Sequence, residues 1–503
     1  MKRKFTKLWL VSFMTLIAVS ASAYDFEADG IYYNLNVSDR TATVTSGDYK
    51  YKENIVIPSS VFYANQKLPV VAIEPNAFWR CSSLVSIEIP NSVTSIGRSA
   101  FNRCSRLVSI EIPNSVTSIG GEAFYDCSSL VSIEIPNSVT SIEAYAFCYC
   151  RSLVSIEIPN SVTSIEAYAF DGCSSLVSIE IPNSVTSIGS CAFSGCSSLV
   201  SLEIPNSVTS IGDFAFYDCS SLVSIEIPNS VTSIWEATFC YCSSLVSIEI
   251  PNSVTSIGKS AFSGCSSLVS IEIPNSVTSI GYMAFDRCRS LKKLFFEDGE
   301  TKLSLRYYSN YLGHFWVTFK DSPIEELYLG RNLDYPTSQY DSYSPFYENT
   351  GFKTISLGKY VTDAKSIYPE KIEQGSLEVI NCYNPEPPLM QTFTNVQYAN
   401  VIVNIPKGSL KAYQEDNSWG NFWNFIEVDW ESGIETIELD SQLYIRTEGN
   451  SIILDNWNNK KLITIYNLNG QCLYSGYDSI ISNLPKGLII IKIGTQSKKI
   501  LIP

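Results

Sequence analysis

The sequence predicts a solenoid of short parallel β-strands with capping elements, followed by a small antiparallel β-sandwich. A 23-residue unit, which reads SLVSIEIPNSVTSIG over Ser83–Gly97, recurs nine times almost unchanged. Since one unit is too short to bury its own apolar face, the copies must stack. Short alternating segments separated by turn residues near the C-terminus predict the sandwich. The predicted parts are a signal peptide at 1–23, an N-terminal β-rich cap at 24–76, regular repeats at 77–290, degenerate repeats with a C-terminal cap at 291–432, and the sandwich at 433–503.

The first segment has the pattern of a secretory signal peptide. Basic residues of Met1–Lys7 precede an apolar run from Leu8 to Val19, and small residues precede Tyr24. Cleavage is expected after Ala23. Because no later stretch approaches 18 unbroken apolar residues, we expect no membrane span.

The flank before the repeats is expected to cover the first turn of the solenoid. Alternating segments near Gly30–Tyr33, Thr41–Thr45, Ile55–Pro58 and Leu68–Val71 predict strands. Terminal repeats need such a cap to keep water from the core.

Within one unit, alternation places Ile87 and Ile89 inside and Glu88 outside. Pro90 and the following Asn turn the chain, since Pro fixes φ and Asn tolerates turn geometry. A second short extended segment then ends at Ile96. Gly97 is expected to allow the next corner.

Ten of the 15 cysteines occupy one position of the unit, which predicts a column of thiols. Stacked turns would separate them by about 4.8 Å, wider than the roughly 3.5 to 4.5 Å between the Cβ atoms of a disulfide. We therefore predict buried free thiols at Cys81, Cys104, Cys127, Cys150, Cys173, Cys196, Cys219, Cys242, Cys265 and Cys288. The redox states of Cys148, Cys191 and Cys240, which lie outside this column, stay open.

After Cys288 the unit decays, although Ile324–Leu329 and Phe352–Leu357 still have the repeat pattern. Irregular turns are expected through about Pro388. Trp419 and Phe422, within a later aromatic cluster, either seal the end of the solenoid or form a sugar platform; sealing is the favoured interpretation.

The repeats resemble the leucine-rich repeat in its BspA-like form, whose unit is LxxIxIPxSVTxIGxxAFxxC. Departures are few: Glu143, Glu166 and Trp235 replace Gly, and Thr238 replaces Ala. The resemblance implies a leucine-rich-repeat solenoid and an exported bacterial surface protein of the adhesin type, some of whose relatives bind host matrix proteins.

The words ITIYNLNGQCLYSG and LPKGLIIIKIGTQSKKILI of the last module are similar to the C-terminal sorting domain of type IX secretion cargo. This resemblance implies export by the type IX machinery to the medium or the outer surface of a Gram-negative bacterium.

Charge and motifs exclude two function classes. From Cys81 to Cys288 there are 18 acidic and six basic residues, a balance of −12, which would repel nucleic acid. The chain has one histidine, His314, and contains no HExxH, GxSxG or GxxxxGK[ST] motif. We therefore expect no enzyme, no catalytic residue and no resident cofactor.

The predicted function is an adhesin or interaction protein that binds a host matrix protein, a cell surface or another extended ligand through a repeated face. One candidate surface is a row of outward glutamates, which would attract Ca²⁺ or a basic partner unless it is only a tolerated product of repeat copying. The other is the variable edge after Gly97, where aromatic residues either make contacts or are free to vary. An alternative is glycan capture by the aromatic-rich region 307–347. The candidate residues are Glu88, Glu111, Glu134, Glu157, Glu180, Glu203, Glu226, Glu249, Glu272, Tyr125, Tyr145, Tyr168, Tyr217, Trp235, Tyr241 and Tyr282.

Overall fold

A computed structural model describes most of the chain, which divides into two compact units after Val428. The described residues are 24–306, 308–309, 315–335, 345–346, 349–429, 444–448, 451–455, 463–467, 472–476, 478, 480–482, 484, 487–493 and 496–502. The predicted signal peptide lies outside the described residues.

The first unit is a solenoid, as the repeat period predicts, and the first extended segments of successive turns stack in parallel, connected by backbone hydrogen bonds. Identical positions pair in register, as in Ser132↔Ser155 and Ile133↔Ile156. We call this the first ladder. Its strands are Lys52–Val56, Ser83–Glu88, Ser109–Ile110, Ser132–Glu134, Ser155–Glu157, Ser178–Glu180, Ser201–Leu202, Ser224–Ile225, Ser270–Ile273, Lys293–Phe296, Glu326–Leu329, Thr354–Leu357, Val379–Cys382, Ile402–Pro406 and Asn424–Val428.

The short segment before each Gly97-type position forms a second parallel ladder. Ser95↔Ser118 and Ile96↔Ile119 are paired in register. Its strands are Gln66–Ile73, Ser95–Ile96, Ser118–Ile119, Ser141–Ile142, Ser164–Ile165, Ser187–Ile188, Ser210–Ile211, Ser233–Ile234, Ser256–Ile257, Ser279–Ile280, Leu303–Leu305 and Leu333–Asp334.

The N-terminal flank is β-rich, and it supplies a turn of the solenoid as well as a cover. Lys52–Val56 pairs in parallel with Ser83–Glu88, and Gln66–Ile73 pairs in parallel with the next strand of the second ladder. The covering strands are Phe26–Ala28, Ile31–Asn36, Thr41–Thr45 and Ser60–Tyr63. Thr41–Thr45 is itself parallel to Gln66–Ile73, so the stacking begins before the first recognisable repeat.

The corner after the second ladder differs from the expectation for Gly97. Gly97 does not have a positive φ. The position requires glycine for space, because a Cβ there would lie 2.4 Å from the backbone nitrogen of Pro75 in the preceding turn. Left-handed backbone occurs instead at the variable positions two and six residues later, such as Ser99 (φ 54°) and Arg103 (φ 61°). Their N–H groups donate to carbonyl oxygens of the next turn, 2.9 and 2.7 Å away. These corner segments therefore stack in register too.

Two of the columns that fill the core stand out, the cysteines and the phenylalanines. The cysteine column is buried and its thiols are free, as predicted. Phenylalanine rings stack on one another with centroids 5.1–5.6 Å apart and interplanar angles of 2–16°, in the order Phe78, Phe101, Phe124, Phe147, Phe170, Phe193, Phe216, Phe239, Phe262, Phe285, Phe319 and Phe346. Offset stacking of this kind adds to the hydrophobic gain from burial.

The first ladder continues past Pro388 to Val428, further than the decayed repeats predict. A 3₁₀ turn at Pro369–Lys371 and helices at Asn395–Asn400 and Leu410–Glu415 connect the last turns. Among the described residues no helix is long and apolar enough to cross a membrane.

Aromatic residues seal this end of the solenoid. Trp419 is fully buried and donates its indole N–H to the Pro388 carbonyl, 2.8 Å away, and Phe422 is buried beside it. Trp423 is 78% exposed. The burial of Trp419 and Phe422 supports the sealing interpretation.

The second unit has two antiparallel sheets, which fit the predicted small sandwich. Its buried residues include Ile452, Ile463 and Ile491. One sheet contains Tyr444–Glu448, Ser451–Asp455 and Ile480–Ile481; the other contains Ile463–Asn467, Cys472–Gly476, Gly487–Ile493 and Gln496–Ile502.

Candidate functional site

The nine predicted glutamates lie in one exposed column of the first ladder. Glu134, Glu157 and Glu180 are direct partners across neighbouring strands, and Glu88 is paired with Glu111 by an isolated bridge. All nine side chains are exposed. Among the described residues no Lys or Arg forms an ion pair with any of them. We call this column the glutamate ladder; its binding role stays a prediction.

A second exposed column lies three residues before the glutamate ladder in each unit, with an exposed serine between the two, and strand alternation does not predict it. Its valines are 42–46% exposed, whereas Leu84 and its equivalents, one residue earlier in each unit, are buried. Strand alternation counted back from Ile87 would place Val85 inside; the strand instead turns its Leu inward and leaves the Val at the surface. This valine column comprises Val108, Val131, Val154, Val177, Val200, Val223, Val246 and Val269.

Both columns change character where the regular repeats end. Lys292 follows Val269, and its Nζ lies 2.7 Å from Glu325 Oε1 of the next turn. The glutamate ladder gives way to stacked rings of Phe295 and Tyr328, whose centroids are 4.3 Å apart. The acidic and apolar face is therefore confined to the regular repeats.

The seven predicted aromatic residues all lie at the corner between the second ladder and the cysteine column, which we call the variable edge. Tyr145 stacks on Tyr168 with ring centroids 4.5 Å apart and an interplanar angle of 4°. Trp235 is 52% exposed. The Lys259 ammonium lies over the ring of Tyr282, 5.4 Å from the ring centroid. Tyr125, Tyr217 and Tyr241 belong to two further ring pairs described below.

Several charges of the variable edge are already paired with one another. The Arg98 guanidinium donates to Glu122 and lowers the pKa of that carboxyl, with a further bond from Ser99. The Glu236 carboxylate, 2.6 Å from Lys259 Nζ, raises the pKa of that amine. The edge therefore offers aromatic surface with local, partly compensated charge, unlike the glutamate ladder.

Cysteines outside the main column have different surroundings. Cys148 and Cys240 are buried, whereas Cys191 is only partly buried. Hydrogen bonding to Cys191 raises the pKa of Tyr168 to about 12. In the part of the chain that the structure describes, no group of three or more His, Cys, Asp or Glu side chains is arranged to hold a metal ion.

Of the alternative glycan region, 307–347, residues 307, 310–314, 336–344 and 347 lie outside the described residues, and His314 is among them. Its described backbone includes an antiparallel pair, Tyr308–Ser309 with Phe315–Trp316. The glycan hypothesis for this region stays a prediction.

Comparisons with known proteins agree on the nature of the repeats. A family model described as BspA type leucine rich repeat region matches residues 71–200 and 189–313 in six copies. No curated protein matches the chain.

Three solved structures illustrate the likeness. A leucine rich cell surface protein from Faecalibacterium prausnitzii is 31% identical over 55% of this chain and 95% of its own, with a TM-score of 0.34. A leucine-rich repeat protein from Bacteroides ovatus is 26% identical over 71% of this chain and 100% of its own, with a TM-score of 0.40. A leucine-rich repeat protein from T. pallidum is 29% identical over 48% of this chain and 90% of its own, with a TM-score of 0.25.

Proposed function

Because its repeat region belongs to the BspA-type leucine-rich repeat family, we propose that this chain is an exported bacterial surface adhesin that binds an extended, basic protein partner. Binding would use the strand face of the solenoid, with contacts from the variable edge. A host matrix protein or a cell-surface protein is the proposed source of the partner.

The observation that carries this proposal is that the glutamate ladder and the valine column occupy the same segment of each repeat. Both run through the regular repeats with a column of exposed serines between them; within the described ranges the glutamates form no ion pair with Lys or Arg, and the valines are half-exposed. Large exposed apolar patches bordered by polar residues mark interaction sites. Charge complementarity selects a basic partner and speeds its association.

Repetition sets a condition on the partner. Each turn offers the same weak contact at intervals of about 4.8 Å, so affinity accumulates only when one ligand engages many turns. A long or repetitive partner meets this condition, whereas a small molecule would use one turn at a time.

Export is the second part of the proposal. The signal-peptide pattern at 1–23 supports a first membrane crossing, and the sorting-domain wording of 433–503 supports passage through the type IX machinery of a Gram-negative bacterium. The family name and the cell-surface description of the Faecalibacterium protein are consistent with a surface location.

The test is binding of the chain to immobilised matrix proteins and glycans at low and high salt, with and without Ca²⁺. Changing Glu134, Glu157, Glu180 and Glu203 to Gln should weaken binding about tenfold at low salt. The control neutralises Glu300, Glu370, Glu373 and Glu386, four exposed carboxylates outside both the regular repeats and the variable edge, and should bind nearly as the parent does.

A chain shortened to three repeats should lose most of its affinity. Binding that is independent of repeat number, or equal loss in the two charge variants, would contradict the proposal. A requirement for Ca²⁺ would show that the glutamate ladder acts through bound cations rather than by direct contact with a basic partner.

A further inference from the structure

Two groups of residues on the variable edge are copies of each other, exactly four units apart in the sequence. Tyr125-Asp126 and Cys148-Tyr149 recur as Tyr217-Asp218 and Cys240-Tyr241. Four turns separate the two groups, about 19 Å at 4.8 Å per turn.

The two copies have the same geometry. Tyr125 meets Tyr149 edge to face at 5.7 Å and 83°, and Tyr217 meets Tyr241 at 5.6 Å and 87°. In each copy the second tyrosine covers a glycine of the next turn: a Cβ on Gly172 would lie 2.3 Å from the Tyr149 ring, and one on Gly264 would lie 2.5 Å from the Tyr241 ring. The aspartates also match, since each backbone N–H donates to a cysteine carbonyl at 2.8 Å.

The first copy holds a guanidinium from its own chain. The Arg151 guanidinium carbon lies 5.2 Å from the centroid of the Tyr149 ring, and its Nη1 lies 3.7 Å from Asp126 Oδ1. Arg103 approaches the same carboxylate from the preceding turn, with Nε 3.9 Å from Asp126 Oδ2. An aromatic face beside a carboxylate thus binds an arginine here, as cation–π and ionic attraction predict. We call this group the filled site.

The second copy lacks both cations. Ser243 stands at the position of Arg151, and Gly195 stands at the position of Arg103. The Ser243 hydroxyl is engaged with the Ser220 carbonyl at 3.3 Å. Asp218 is exposed, Tyr241 is 40% exposed, and among the described residues no Lys or Arg forms an ion pair with Asp218. We call this group the open site.

The shared residues are not explained by copying alone, because the variable positions around them differ. Glu122 corresponds to Phe214, Glu143 to Trp235, and Tyr145 to Ala237. Only the tyrosines, the aspartate, the extra cysteine and the glycine beneath the ring are the same.

We infer that the open site, formed by Tyr217, Asp218 and Tyr241, binds the guanidinium of an arginine side chain from a partner protein. The filled site is the template: its Arg151 marks where the ligand's guanidinium would lie against the ring and the carboxylate. Arginine fits better than lysine because its plane can lie on a ring while its N–H groups reach the carboxylate. Two charged groups of the same edge are already engaged: the Asp213 carboxylate accepts the Glu236 N–H at 2.9 Å, and the Lys259 ammonium is paired with the Glu236 carboxylate at 2.6 Å.

The inference rests on the proposed function only in taking a basic protein as the source of the arginine. The experiment titrates the full chain with the peptide acetyl-Gly-Arg-Gly-amide and follows binding by NMR or calorimetry. The same peptide with citrulline, the neutral analogue of arginine, is the matched probe. One peptide should bind per chain, and citrulline should abolish binding.

Exchanging the arginine between the two sites gives the decisive variants. Ser243→Arg should fill the open site with an internal guanidinium and remove peptide binding, whereas Arg103→Gly together with Arg151→Ser should open the filled site and raise the stoichiometry from one to two. Asp218→Asn should weaken binding about fivefold, since an exposed ion pair with a cation–π contact is worth about 1 kcal/mol. Thermal unfolding checks that each variant is folded.

Three results would overturn the inference: equal binding of the citrulline peptide, undiminished binding by Ser243→Arg, or an unchanged stoichiometry in the double variant Arg103→Gly, Arg151→Ser. Loss of matrix-protein binding in the glutamate variants would leave these results untouched, because the open site contains none of those glutamates. The two proposals can therefore fail separately.

Discussion

Each cysteine from Cys104 to Cys288 in the cysteine column donates its Sγ–H to a phenylalanine carbonyl oxygen of the neighbouring turn at 3.1–3.3 Å. Burial raises the pKa of these thiols; for Cys150 and Cys196 it lies well above its usual range. The thiolate is the reactive form of cysteine. The column should therefore stay reduced and inert even in an oxidising compartment.

Alkylation of the folded chain tests this at the residue scale. With N-ethylmaleimide at pH 8, Cys191 should be modified first among the described cysteines, because it is partly exposed while the column is buried. Mass spectrometry of chymotryptic peptides after short exposure gives the order of reaction, because cleavage after Phe193 separates Cys191 from Cys196. In guanidinium chloride all cysteines should react alike; modification of column cysteines at the rate of Cys191 in the folded chain would contradict the prediction.

At the scale of the elements, a chain of ion pairs holds three neighbouring strands of the first ladder together after the regular repeats. The Glu325 carboxylate forms two ion pairs: Oε1 lies 2.7 Å from Lys292 Nζ, and Oε2 lies 2.7 Å from Lys353 Nζ. Hydrogen bonds from Lys292 and then Lys353 lower the pKa of Glu325 to about 2. Water screens these exposed lysines, so we expect the carboxylate to contribute only about 1 kcal/mol.

The contribution of Glu325 should depend on pH in a defined direction. Its folded pKa lies below the unfolded value, so its stabilisation is complete above about pH 5 and is lost as the pH falls toward 2. Glu325→Gln should therefore lower the free energy of unfolding by about 1 kcal/mol at pH 6 and by almost nothing near pH 2. Urea unfolding across this range measures the difference, with Glu300→Gln as an exposed control expected to be neutral. A difference that is constant with pH would contradict the prediction.

Elements that depend on the 23-residue period could be predicted from the sequence, and those that depend on contacts between turns could not. The alternation of Ile87–Ile89 predicts a strand, and the recurring Phe101 position predicts a core residue. Both predictions succeed because the period places the same side chain inward in every turn. The turn supplied by Lys52–Val56 and Gln66–Ile73 has no repeat wording, so only its β character could be predicted. The exposed valines escape alternation because the first such strand has an irregularity at this position: its pairing with Lys52–Val56 passes from Leu84 to Ser86 and skips Val85.

The candidate site shows the same division. The glutamate ladder follows directly from in-register stacking, and the structure places all nine carboxylates in one column. The ring pairs of the variable edge join residues 24 positions apart, as in Tyr125 with Tyr149, and the glycine beneath each ring lies 23 positions further on. Such offsets become visible only when the backbone of the corner, with its left-handed residues, is known.

At the scale of the whole molecule, stacking of identical turns predicts that the solenoid tolerates a change in length by whole units. Each repeat contacts mainly its neighbours, so stability is close to a sum over turns. Deleting Ser174–Cys196, one complete unit, should leave the two ladders, the phenylalanine stack and the cysteine column continuous. The chain should fold cooperatively, with a solenoid shorter by about 4.8 Å.

The control deletion removes Ser174–Ser194, two residues fewer, and shifts every later inward side chain out of its column. It should unfold at a much lower temperature, because the core on one side of the junction no longer meets its partners. Circular dichroism and small-angle scattering compare the two variants. The whole-unit deletion also brings the filled and open sites one turn closer while leaving both intact, so peptide binding by the open site should be unchanged. Equal damage from the two deletions would show that the solenoid is not a sum of exchangeable turns, and the accumulation of affinity over many turns would lose its physical basis.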